Sequence, residues 1–335
     1  MQVSDFHYEL PQELIAQEPL PHRGASRMLV VSRKKQSFRD DVFANFHKYL
    51  SPGDCLVLNN TRVFPARLHG RRNQESGARI EVFLLRALTE DESVWSVLVK
   101  PAKRLRIGDQ IIFNDAFRAT VLSEQTVRFD AEQSISEFLE RLGQTPLPPY
   151  IRRPPEASDR DRYQTVYAEK KGSIAAPTAG LHFTSEMLDA CRAAKAELAY
   201  ITLHVGLGTF APLREKKVEE IQLHEEYFEI LQSNAEIMRR AARLFCVGTT
   251  AVRTLETAVL RGGINGMQGE TNLFIHPGFQ FRAAGAMLTN FHLPQSSLLM
   301  LVCAFAGREL TLAAYRHAVA EKYRFFSYGD CMLIE

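Results

Sequence analysis

No two cysteines of this chain stand in CxxC spacing; the five, at 55, 191, 246, 303 and 331, are scattered. An odd, dispersed set argues against a disulfide framework and for a reducing compartment. Cys55, Cys246 and Cys303 sit in apolar runs such as CLVLNN and MLVCAFAG, where a free thiol behaves as a small hydrophobe. Excess charge is missing too. The 41 Lys and Arg nearly balance the 39 Asp and Glu, for a net charge of +2, so a polyanion has to be met by a local patch. There is no HExxH and no Cys cluster, so no metal site is expected; a zinc site would need ligands gathered from distant loops. The GxGxxG dinucleotide fingerprint is absent. So is an acidic, glycine-rich loop after an N-terminal strand, which argues against an ordinary methyltransferase fold. The opening MQVSDFHYEL has neither a basic n-region nor an apolar h-region, and no signal peptide is expected. The longest apolar run, SSLLMLVCAFAG, is too short to span a bilayer. The expectation is a cytoplasmic protein with no membrane contact.

What is present is an ordinary globular composition, 335 residues and 45% hydrophobic, enough for one large core or two domains. The middle of the chain differs from its flanks. RIEVFLL, SVWSVLVK, DQIIF, FRATVL and TVRFD alternate with period two between turn signals, which predicts antiparallel strands of a small sandwich or barrel. A helix follows, with Ser134 and Glu137 placed as a capping box and Gly143 at its end. TPLPPYIRRPP, five prolines in eleven residues, then makes a stiff connector. After residue 172 apolar strands alternate with amphipathic helices: a helix near Thr184, the strand YITLHVG, a helix capped by Ser233 and Glu236 and carrying Ile237, Ala241 and Leu244, and FCVGTT leading into VRTLETAVLRGG. MLVVSR and CLVLNNTR near the start have the same buried-strand character. The expected division is a large α/β domain from 1–63 and 152–335, interrupted by an inserted antiparallel β-barrel at 64–151.

In parallel α/β folds ligands sit at the carboxyl ends of the strands. Six segments fall at or near such ends: NNTR, TAGLH, LHVGLGT, GTT, TNFH and SYGD. Their polar side chains are expected to share one face and one cavity. His182, His204 and His292 are candidates for proton transfer, since only imidazole titrates near neutrality unperturbed. A structural histidine beside a strand is the plainer explanation for any one of them; the repetition is what asks for more. His224, two residues before Glu226, fits both a base with its orienting carboxylate and a surface ion pair. Gly180, Gly206 and Gly208 allow close backbone approach to a ligand. Thr249 and Thr250 open a helix where exposed amides favour an anion, or serve as plain caps. Arg253 and Glu256 have the spacing of an exposed helical pair, although Arg253 also stands among the substrate-binding candidates. Arg67, Arg71, Arg72, Lys100, Lys103, Arg104, Arg106, Arg152 and Arg153 give the β-rich middle and its connector a basic bias, which suits RNA or an ordinary solvated face.

LVLNNTRVFPARLHG, YQTVYA, AAPTAGLHFT, ITLHVGLGTF, GTTAVRTLE, TNLFIHPGF, LTNFHLPQSSLLMLVCAFAG and YRFFSYGDCMLI together resemble the S-adenosylmethionine:tRNA ribosyltransferase-isomerases of queuosine biosynthesis. The likeness runs over essentially the whole chain. Two positions depart from that family's usual pattern: His276 stands where an aromatic is usual, and Gly285 where an acid is common.

The resemblance implies transfer and isomerisation of the ribosyl part of S-adenosylmethionine onto a 7-aminomethyl-7-deazaguanine wobble base of tRNA, with adenine and methionine leaving. It implies an irregular TIM-like α/β barrel domain with an inserted small antiparallel β-barrel. It also implies a monomer whose partners are S-adenosylmethionine, consumed as substrate, and the anticodon loop, with no cofactor. His182 and His204 would then share the proton transfers and His292 would hold ribose or base. Thr178, Thr209 and Asn290 would meet the sugar, and Asn60 and Arg62 the methionine carboxylate or a phosphate. Two other readings remain at this point. A sugar-phosphate enzyme would use the GTT loop as its cradle, and a non-catalytic tRNA-binding protein would release no adenine.

Overall fold

The structure, a computed structural model, describes residues 1–73, 77–102, 105–114, 116–130, 134–206, 213 and 215–335. Nine strands form one mixed sheet, in the order Met267–Thr271, Glu226–Ile230, Glu197–Leu203, Asp54–Asn59, Arg243–Val247, Ala284–Asn290, Cys331–Ile334, Arg27–Ser32, Ser37–Val42. The four strands from Glu197–Leu203 to Ala284–Asn290 run parallel to one another. Asp54–Asn59 is buried at every position, which is why it reads as the unbroken apolar run CLVL. Alternate residues feed two cores. Cys55, Val57, Ile201, Cys246 and Met287 face one, with the helices Gln232–Arg240, Thr249–Leu260, Ser297–Ala306 and Arg308–Ala320. Leu56, Leu58, Phe245, Val247 and Leu288 face the other, with the 3₁₀ segment Phe43–Tyr49 and the helix Ser185–Ala193.

This sheet is open, so the expected TIM-like barrel is not what these strands form. Antiparallel pairings end the parallel run on both sides, at Thr202 with Glu229 and at Met287 with Ile334. Helices on both faces leave no closed interior for barrel layers to fill. The outer strand Ser37–Val42 is mostly exposed and carries Arg39, Asp40 and Asp41, charges that discourage edge pairing.

Six antiparallel strands do close into a barrel, in the order Thr126–Asp130, Val94–Lys100, Arg79–Ala87, Arg67–Arg72, Gln110–Asn114, Phe117–Ser123. Its core of Leu68, Ile80, Val82, Val97, Ile111 and Val127 is capped by Phe138 and Leu139 of the helix Ile135–Leu142. Ser134 precedes that helix without capping it through its side chain. The helix expected to be capped by Ser233 begins one residue earlier, at Gln232, and ends at Arg240. Ala241 leaves it with extended backbone and Leu244 belongs to the next strand, because the apolar spacing continues across a helix-to-strand turn that the periodicity does not register. No single helix among the described residues is long and apolar enough to cross a membrane; Ser297–Ala306 and Arg308–Ala320 reach that length only as a pair bent by 116°.

Candidate functional site

A cavity of about 960 Å³ lies between the barrel and the open sheet. Phe64, Leu85, Trp95, Ser96 and Leu139 line it from the barrel side; Gly172, His204, Gly206, Tyr227, Arg253 and Phe274 line it from the other. Its walls are largely apolar with a few polar groups, the usual make-up of a small-molecule site between domains. Five acids, Glu92, Glu140, Glu225, Glu226 and Glu270, add negative charge to the lining.

His204 follows the strand Glu197–Leu203, and its backbone N–H donates to the Tyr227 carbonyl (2.9 Å). Nδ1 shares a hydrogen bond with Thr61 Oγ1 (2.8 Å), and the ring stacks on Tyr227 with centroids 5.5 Å apart. The side-chain amide of Asn59 ties the two segments together: Oδ1 accepts from Thr61 N–H and Leu203 N–H (both 3.1 Å), and Nδ2 donates to the Leu203 carbonyl (3.0 Å). Thr61–Val63 also pairs with Lys170–Ser173, which lays Gly172, at φ +143°, against the imidazole. Burial pushes His204 down to about 4, so the ring is neutral at pH 7 and able to accept a proton.

Arg253, from the helix Thr249–Leu260, is buried in the same cavity wall. Nη1 donates to Glu226 Oε2, and Nε donates to the Leu273 carbonyl (3.1 Å). The other carboxylate oxygen of Glu226 accepts from Gly206 N–H (3.0 Å). The expected exposed pair of Arg253 with Glu256 is therefore replaced. Glu256 is buried and accepts instead from the backbone N–H groups of Arg282, Ala283 and Ala284. Packing on both sides of this helix overrides the helical spacing. The proposed His224–Glu226 couple is replaced as well: His224 lies exposed before the strand, on the cavity lining, while Glu226 turns inward to Arg253.

The other two candidate histidines do not line this cavity, and the expected single hollow does not form. His182 is buried against Phe43, on the second core, with Nδ1 on Ser26 Oγ (2.8 Å) and Nε2 on Asn290 Nδ2 (3.1 Å). His292 is buried toward the first core, with Nε2 on Thr289 Oγ1 (2.8 Å) and its carbonyl accepting from Tyr8 OH (2.5 Å). Burial, with the charge of Arg23 adding to it at His182, lowers the two to about 4 and about 3. The strand ends do converge, but consecutive side chains there leave on opposite faces of the sheet.

Thr178 and Gly180 lie in the 3₁₀ segment Thr178–His182 and Asn290 in the His182 cluster, none of them on the cavity lining. Asn60 is buried and internally satisfied, with Nδ2 on Glu169 (3.2 Å) and Oδ1 accepting from Thr202 (2.7 Å). Thr249 and Thr250 are not hydroxyl caps: Gly248, at φ +91°, takes the cap position, and neither threonine lines the cavity, so the GTT loop is not its phosphate cradle. Of the basic candidates, Arg62, Arg71 and Lys100 are exposed with no acidic partner among the described residues, while Arg106, also exposed, lies beside Asp109, which accepts from its backbone N–H (2.6 Å). Arg72 pairs with Asp109 (2.9 Å), Arg153 is held by the buried Asp159 (2.6 and 2.8 Å), Arg152 donates to Gln12 (3.0 Å) and Arg67 to the Leu147 carbonyl (3.4 Å). Lys103, Arg104, Gly208 and Thr209 lie outside the described residues. Among the described residues no cluster of three or more His, Cys, Asp or Glu is placed to hold a metal ion.

Asn59, Thr61, Gly172 and Tyr227 escape the sequence reading, although NNT immediately before a basic residue at a strand end was a usable signal for the first two. At Gly285 a Cβ would meet the Arg243 side chain at 2.6 Å, and Arg243 pairs with Asp54 (2.5 Å).

The family described as "Queuosine biosynthesis protein" matches residues 3–334. An S-adenosylmethionine:tRNA ribosyltransferase-isomerase from Solibacter usitatus is 51% identical, and one from Thermoanaerobacter sp. is 48% identical, each with 100% of both chains covered. The crystal structure of an S-adenosylmethionine tRNA ribosyltransferase from Thermotoga maritima is 36% identical and superposes with a TM-score of 0.58, covering 99% of this chain and 100% of that one. With a match this long and relatives this similar from end to end, the chain belongs to the queuosine biosynthesis family of S-adenosylmethionine:tRNA ribosyltransferase-isomerases.

Proposed function

We propose that this chain transfers and isomerises the ribosyl group of S-adenosylmethionine onto the 7-aminomethyl-7-deazaguanine wobble base of tRNA, forming epoxyqueuosine. The observation that carries the reaction is full-length kinship at about half identity to enzymes of that name. What carries its placement is the cavity around His204. A volume of about 960 Å³ is enough for a sulfonium nucleoside with a base beside it. Trp95, Tyr227 and Phe274 offer faces for flat rings, and the carboxylates favour a cation.

In this reading the positive sulfur acidifies the hydrogens on the ribose carbon next to it, and neutral His204 takes one of them. Thr61 holds Nδ1, fixing the ring's orientation while the proton moves. The aminomethyl nitrogen bonds to the ribosyl group and gives up a proton, while the sugar carbons close a carbocycle and the ring oxygen closes the epoxide. Cleavage of the glycosidic bond releases adenine, which takes up a proton. Cleavage of the carbon–sulfur bond returns an electron pair to sulfur, so methionine leaves as a neutral thioether. His182 and His292 act as structural histidines in this scheme, and His224, exposed at the cavity, is the remaining imidazole placed to return a proton.

Segment 64–151 is read as an inserted unit that assists tRNA binding through Arg71, Lys100 and Arg106, with Arg62 at its junction. An unpaired wobble base in an anticodon loop is cheap to unstack and turn into a cavity. The reading includes a cytoplasmic monomer with S-adenosylmethionine as consumed substrate and no added cofactor. Adenine release from S-adenosylmethionine, measured with precursor-bearing tRNA and without it, tests the proposal. Release only with that tRNA is expected, and its absence under both conditions supports a binding protein instead.

A further inference from the structure

We propose that Arg253 anchors the α-carboxylate of the methionine half of S-adenosylmethionine and so selects sulfonium nucleosides that carry an amino-acid tail. The inference rests on the reading that S-adenosylmethionine occupies the cavity beside His204. Arg253 is only 5% exposed and lines that cavity. Two of its three nitrogens are committed, Nη1 to Glu226 and Nε to the Leu273 carbonyl. Nη2 is buried and has no partner among the described residues.

A guanidinium cannot shed its proton to escape this situation, and a buried donor without an acceptor is costly until one arrives. Glu226 holds the guanidinium in place and is itself held by Gly206 N–H, so the free edge is pre-oriented rather than swinging. Ser297 and Leu298, the first two residues of the helix Ser297–Ala306, line the same cavity. The Ser296 hydroxyl accepts from Leu299 N–H (3.2 Å), so the amides ahead of it belong to the positive helix end. Arg86 and Lys171, the other Arg and Lys on the lining, are exposed and pair with Glu270 and Glu140.

The charge around Arg253 chooses between anions. A phosphate brings more negative charge into a cavity already lined by Glu92, Glu140, Glu225, Glu226 and Glu270. An amino-acid tail brings one carboxylate for Nη2 and an ammonium for those acids, next to a sulfonium that they also favour. The zwitterionic tail is the better match.

The test compares binding of S-adenosylmethionine with binding of its decarboxylated analogue, which keeps the sulfonium and adenosine but has no carboxylate. Wild-type protein is expected to bind S-adenosylmethionine about ten- to a hundred-fold more tightly, the range for a charge-assisted hydrogen bond. Arg253→Lys keeps a cation opposite Glu226 but loses the planar Nη2. It is expected to bring the ratio to within a few-fold. Equal wild-type affinities overturn the inference, and so does an Arg253→Lys protein that keeps the full preference. Gly206→Trp separates the inference from the reading beneath it, because a Cβ at Gly206 meets nothing within 4 Å among the described residues and Gly206 lines the cavity the indole would fill. Loss of both ligands supports the cavity as the site. Retention of both places the ligand elsewhere and overturns the reading, whatever Arg253 does.

Discussion

The imidazole of His204 lies so close to Gly172 that a Cβ there would stand 2.6 Å from Nε2 and 2.8 Å from Cδ2 and Cε1. Neither partner can yield easily, since Nδ1 is held by Thr61 and the ring face by Tyr227. Gly172→Ala is therefore expected to lower the rate of adenine release by about ten-fold or more through displacement of the ring alone. The φ of +143° adds strain to the same substitution. A kcat within two-fold of wild type speaks against His204 as the positioned base.

The three histidines of the sequence motifs are expected to part company on mutation. His204→Ala should cost about 10²- to 10⁴-fold in adenine release while keeping most of the thermal stability, as for a general base. His182→Ala and His292→Ala remove buried, hydrogen-bonded rings and should cost about 1–3 kcal/mol of stability each. Denaturant midpoints beside single-turnover rates check both halves of this statement.

Acid should destabilise the fold through these same rings. Burial holds His182 and His204 at about 4 and His292 at about 3, against an ordinary value of 6.5. The unfolded chain takes up protons below about 6.5 while the folded one does not, so their contribution is complete above that pH. It falls as pH drops toward 4, and toward 3 for His292. Urea midpoints from pH 7 to 4.5 should decline, and His292→Asn should flatten the dependence by about one proton.

Glu226 and Arg253 form a buried ion pair with 6% and 7% of their side chains exposed. Removing one partner strands the other charge, so Glu226→Ala should cost about 3–5 kcal/mol. Glu226→Gln keeps a hydrogen-bonding group and should cost less. Chemical denaturation of the two variants tests that order.

Salt dependence checks the RNA face. Arg71 and Lys100 are exposed without acidic partners among the described residues, and Arg106 is exposed beside Asp109. Reversing each to Glu should weaken tRNA binding and shallow its salt slope by about one charge, with S-adenosylmethionine binding unchanged. Arg153, fixed to buried Asp159, should act through stability instead.

Five of the six barrel strands were legible because apolar and polar residues alternate in them; Arg67–Arg72 was not, since only Leu68 marks its inner face before His69 and Gly70. The central strands were legible as apolar runs, but runs carry no information about closure. The antiparallel pairing of Cys331–Ile334 against Ala284–Asn290 bears on that, and it joins segments about forty residues apart with two helices between them. At the site, spacing identified imidazoles at strand ends but not their direction. Register sends His204 to the cavity and folds His182 and His292 into opposite cores. Arg253 looked like a surface residue by helical spacing, because its partner Glu226 comes from a strand no local pattern connects to it.

Mass spectrometry of nucleosides from tRNA bearing 7-aminomethyl-7-deazaguanine, incubated with S-adenosylmethionine and either wild-type or His204→Ala protein, tests the central claim most directly. Epoxyqueuosine with equimolar adenine and methionine is expected from the wild type, and little of any of them from the variant. Unchanged precursor after wild-type incubation, or full conversion by the variant, would contradict the account.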